Sequence, residues 1–76
     1  MKGKRKHPLA VWRYERGISQ KELATALNKQ SDLTVDRWEA GVAMPKINDL
    51  VSLYAFSEGE IDANMFMHYL IMKEEE

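Results

Sequence analysis

The chain has no cysteine, which excludes disulfide staples, thiolate zinc sites and a thiol nucleophile and fits a reducing compartment. No wholly apolar run exceeds a few residues, so nothing in the sequence is long enough to cross a bilayer. The basic start is not followed by an apolar stretch, so no secretory signal is visible. There is no glycine-rich phosphate loop. The two histidines, His7 and His68, are not spaced to pair a base with an orienting carboxylate, and no two- or three-ligand metal cluster stands out. These absences lead us to expect no enzyme activity, cofactor, metal site, small-molecule substrate or membrane partner, and a cytoplasmic location.

What remains is 76 residues, 45% apolar and 30% charged, enough for one small globular domain with a modest core. The net charge of −1 conceals an asymmetry. Residues 1–30 hold eight of the eleven Lys/Arg against two acids, whereas residues 31–76 hold three against ten. A polyanion would feel the first half, although a solvated zwitterionic surface would carry the same residues. Residues 1–7, with Lys2, Lys4, Arg5 and Lys6, read as a flexible basic arm that includes His7.

Start and stop signals then divide the chain into five helices. Pro8 opens the first, with Leu9 and Trp12 at i and i+3, and Gly17 stops it, giving a helix over 8–16. Ser19 and Glu22 form a capping box, and Leu23, Ala24 and Leu27 continue a helical stripe over 20–27 that Asn28 ends. Ser31 caps a third helix over 32–39, with Asp32 facing its positive end, Val35 and Trp38 on one face and Gly41 as the stop. Ile47, Leu50, Val51, Tyr54 and Ala55 space a fourth helix over 46–56, and Ser57–Gly59 is a turn. Asp62 can cap a last helix, but Met65–Met72 is apolar at seven of eight positions, so helix and strand both fit residues 63–73. Glu74–Glu76 read as a frayed acidic tail closing a domain over 8–73. The architecture expected is all-α, a bundle of about five short helices. Leu9, Trp12, Ile18, Leu23, Leu27, Val35, Trp38, Leu50, Leu53 and Phe56 are the expected packing residues. The surplus apolar surface of residues 62–73 suggests a partner, most simply a second copy, although a greasy terminal helix would look the same.

Two short helices joined by a tight polar turn form a helix-turn-helix, whose second helix fits the DNA major groove. The residues go further than the shape. Arg13, the run RGISQKELA over 16–24, Val35-Asp36-Arg37-Trp38-Glu39-Ala40-Gly41, Pro45 and Leu50 resemble the Xre family, the Cro and lambda-repressor type of DNA-binding domain of phage and bacterial regulators. The resemblance covers roughly residues 8–61. It implies that Ala24 fills the small-residue position where the two helices meet and that Asn28 stands in for a turn glycine. It also implies that Arg13 pairs with Glu39, and that the protein acts as a small repressor or Cro-like switch. Two departures are visible. The Ala24–Val35 separation is one residue longer than usual, and the third helix is unusually acidic, with Asp32, Leu33 and Asp36 where relatives carry neutral polar residues.

For DNA, Gln20, Lys21, Lys29, Gln30, Ser31 and Lys46 are candidate phosphate ligands, and Asp32, Leu33, Asp36 and Arg37 are candidate base readers. Thr34 fits either role. Lys4, Arg5 and Lys6 of the arm can follow a groove or the backbone, or merely solubilise the terminus. The expected partners are double-stranded DNA and a second copy through residues 62–73. A protein-binding module of the same shape, an anti-repressor or antitoxin, is the alternative, since fold alone does not decide function.

Overall fold

In the computed structural model, which describes residues 7–74 apart from the Lys73 side chain, five helices follow one another: α1 Pro8–Arg16, α2 Gln20–Ala26, α3 Leu33–Ala40, α4 Ile47–Phe56 and α5 Ala63–Glu74. No strand occurs among the described residues, so the segment that fits helix or strand by sequence is α5. The arm residues Lys2, Lys4, Arg5 and Lys6 lie outside the described residues.

The boundary signals act as their chemistry dictates. Gly17 takes φ 70°, a left-handed conformation that costs glycine nothing, and ends α1. Ser19 Oγ accepts from the Glu22 N–H at 2.9 Å while Glu22 Oε1 accepts from the Ser19 N–H at 2.8 Å, closing the capping box. Asn28 takes φ 62°, and the following N–H, that of Lys29, donates to the Ala24 carbonyl at 2.8 Å. Ser31 Oγ accepts from the Leu33 N–H at 3.1 Å, so α3 starts at Leu33 and Asp32 makes no side-chain cap bond. Asp62 Oδ1 accepts from the Met65 N–H at 3.2 Å at the head of α5.

The core is built from Leu9, Trp12, Leu23, Ala24, Val35, Trp38, Leu53, Ile61 and Phe66, with Ile18, Leu27, Leu50 and Met65 packed around it. Three expectations need correcting. Phe56 is 42% exposed and sits edge-on to Trp12 rather than inside. Ile61 and Phe66 take interior places instead, because α5 folds back over α1. His7 is buried rather than part of the arm: its Nδ1 accepts from the Leu9 N–H at 3.0 Å, capping α1, and its ring lies 5.1 Å from Phe66 and 4.4 Å from Tyr69. An imidazole can take this place because Pro8 contributes no N–H to the first turn and the ring is aromatic enough to join the α5 face. Burial holds its pKa below the ordinary 6.5, against the opposing pull of the Glu39 carboxylate. At the other end Glu74 closes α5 rather than opening a frayed tail.

Candidate nucleic-acid interface

α2 and α3 meet through Leu23, Ala24 and Val35, all buried. Ala24 has no side chain beyond Cβ, which lets the two backbones come close. With Val35 and Trp38 turned inward, helical geometry sends Asp32, Leu33, Asp36, Arg37 and Ala40 outward, and all five are exposed. Leu33 is 53% exposed, a bare hydrocarbon among polar neighbours. Thr34 is half-buried and closer to the packing surface than to the outer face.

The back of α3 is tied to the rest of the domain by one polar network. Arg13 Nε and Nη2 donate to Glu39 Oε2 and Oε1 at 2.6 and 2.9 Å, and Arg13 Nη1 donates to the Ile18 carbonyl at 2.9 Å. The two side chains are only 5% and 8% exposed. The paired geometry is the bidentate fork that guanidinium and carboxylate planes allow. Hydrogen bonding to Glu39 pushes the Arg13 pKa further up, more than burial lowers it. The pair implied by the family resemblance is therefore present.

Gln20 extends that network to the outer surface. Its Nε2 donates to Glu39 Oε1 at 2.9 Å and to Asp36 Oδ1 at 3.2 Å. The amide expected to meet phosphate is thus turned onto α3. Lys29 is also engaged: its Nζ lies 2.6 Å from Asp49 Oδ1 on α4. Neither link has a local signature, because the partners are 16 and 20 residues apart and each residue alone reads as a surface side chain. Lys21, Gln30, Ser31 and Lys46 are exposed around the turn and the loop before α4. Lys21, Arg37 and Lys46 have no ion-pair partner among the described residues.

Over residues 7–74 the charge is not cationic. Residues 7–74 hold seven Lys/Arg against ten Asp/Glu, so the excess positive charge belongs to Lys2, Lys4, Arg5 and Lys6.

Two short helices packed at a small residue, the second anchored from behind and exposed in front, define a helix-turn-helix domain. A family model described as helix-turn-helix matches residues 9–53, more than half of the chain, from the first turn of α1 to α4. The chain belongs to this family, the Xre and lambda-repressor type of helix-turn-helix, a family of DNA-binding regulators. Comparison with curated proteins and with solved structures finds no match. No helix among the described residues is long and apolar enough to cross a membrane.

Proposed function

We propose that the protein is a small transcription repressor that lays α3 in the major groove of an operator. The observation that carries this reading is the outward face of α3, exposed in front and fixed from behind by Arg13, Glu39 and Gln20. Asp32, Leu33, Asp36 and Arg37 stand where base edges would lie, with Thr34 at the margin. Lys21, Gln30, Ser31 and Lys46 surround them as phosphate ligands, and Lys29 joins them if a phosphate displaces Asp49. The arm carries the remaining cations, Lys4, Arg5 and Lys6, to the backbone or an adjacent groove. Because one such module reads few base pairs, two copies bind half-sites about 34 Å apart, joined through residues 62–73. The exposure of Met67 and Ile71, one turn apart on α5, supports that surface.

Selection of bound duplexes from a random pool tests the reading. A palindromic site, bound with an affinity that falls steeply with salt, is the expected outcome. Failure to retain any duplex at low ionic strength would remove it. The acid-rich body favours one second reading, a protein-binding module such as an anti-repressor or antitoxin, for which little DNA binding is expected at moderate salt.

A further inference from the structure

We propose that Asp36 is a specificity-determining residue that accepts a hydrogen bond from the exocyclic amino group of a cytosine, and that Gln20 is the positioning residue that aims it. This rests on the DNA-binding reading above.

Placement comes first. Asp36 lies on the outer face of α3 between the inward-turned Val35 and Trp38, and it is exposed. Its carboxylate is not a loose surface group. Oδ1 accepts from Gln20 Nε2 at 3.2 Å, and the same amide nitrogen donates to Glu39 Oε1 at 2.9 Å. Glu39 is itself locked by the two-pronged grip of Arg13, whose third bond goes to the Ile18 carbonyl. A continuous run of hydrogen bonds thus leads from the α1–α2 junction to this one carboxylate. Oδ2 has no hydrogen-bond partner among the described residues.

The chemistry of the free oxygen then selects the base. A carboxylate only accepts. In the major groove guanine offers two acceptors and thymine an acceptor and a methyl group, so neither can satisfy it. Adenine offers an amino donor, but its N7 acceptor lies beside that donor and repels the carboxylate. Cytosine offers its amino donor with no acceptor of its own alongside. Discrimination here is largely a penalty. An Asp36 carboxylate pressed against guanine or thymine loses its water without a replacement donor, and against adenine it gains one donor only by facing the N7 lone pair. Gln20 matters because a fixed carboxylate cannot swing away from a wrong base.

The test is selection from a random duplex pool with the wild-type protein, Asp36→Asn and Gln20→Ala, with salt-dependent affinities measured on the selected sites. The wild type is expected to enrich cytosine at one position of each half-site, preferred by about ten-fold or more over other bases. Asp36→Asn is expected to exchange that cytosine for adenine, since a carboxamide matches the adjacent donor and acceptor of adenine, and to leave the other positions unchanged. Gln20→Ala is expected to blunt the cytosine preference with the salt slope unaltered, whereas a merely structural role for Gln20 would weaken all sequences equally. A selected site whose bases are the same for the wild type and Asp36→Asn overturns the assignment and leaves DNA binding standing. Equal weakening of all sequences by Gln20→Ala overturns the positioning role. No enrichment and no salt-dependent binding by the wild type overturns the DNA reading and this inference with it.

Discussion

Glu39 and His7 are the two residues on which the fold places the sharpest demands. Glu39 neutralises a guanidinium that is almost wholly enclosed, so Glu39→Gln leaves the Arg13 charge without its counter-ion. The expected cost is about 3–5 kcal/mol, the usual penalty for stranding one member of a buried pair. For a domain of this size, that corresponds to a melting temperature lower by more than about 10 °C, which calorimetry would read directly. An unchanged melting temperature would show that the pair contributes nothing. His7 makes the opposite kind of demand, because it must stay neutral. Burial lowers its pKa from 6.5, so the folded state binds the proton less readily than the unfolded chain does. The associated stability is fully present above about pH 6.5 and declines as pH falls from there through the lower folded-state value. Urea midpoints measured across that window should drop on acidification. His7→Asn, which keeps a cap acceptor but does not titrate, should flatten the drop.

At the scale of the helices, much was legible because boundaries depend on local chemistry. Pro8, Gly17, the Ser19–Glu22 box, Asn28, Ser31 and Asp62 each act within a few residues of themselves, and each marks a boundary or cap in the structure. The positive φ of Asn28 gives a direct check. Asn28→Ala should destabilise by about 1–2 kcal/mol, the left-handed penalty for a residue with Cβ, while Asn28→Gly should not, as denaturant unfolding would show. α5 was not legible as helix or strand, because seven apolar residues in eight carry no period. Its conformation is settled by where Phe66 and Tyr69 find partners, namely His7 and α1. Phe56 misleads for a related reason: its spacing fits a core stripe, but Ile61 and Phe66, from beyond the Ser57–Gly59 turn, fill the interior. The Gln20–Asp36 and Lys29–Asp49 links could not be read at all, since they join helices whose relative placement only the fold decides. Asp49 pairs with Lys29, the cation proposed above as a phosphate ligand. Asp49→Asn should therefore raise duplex affinity several-fold and steepen its log–log salt dependence by about 0.9 if one further phosphate is engaged. An unchanged slope would mean that Lys29 stays clear of the backbone.

Over the whole molecule, the division of charge sets the terms of binding. Residues 7–74 carry more acids than bases, so net attraction to a polyanion depends on the residues ahead of His7. Removing residues 1–6 should weaken duplex binding and flatten the salt slope by roughly 0.9 for each phosphate that is no longer neutralised. The association of two copies proposed above belongs to the same scale. Replacing Met67 and Ile71 together by Glu should give monomers in sedimentation experiments and a half-site affinity only. A dimer that survives would shift attention to α4, where Ile47, Val51 and Tyr54 are also exposed.

The clamp on His7 has one more consequence. With its ring wedged against α5 and its nitrogen bound to the start of α1, this residue is a mooring post for the first helix. The basic residues ahead of it, proposed above to reach DNA, would do so from that fixed point, so glycines inserted after Lys6 are expected to change which turns of a duplex are protected in footprinting.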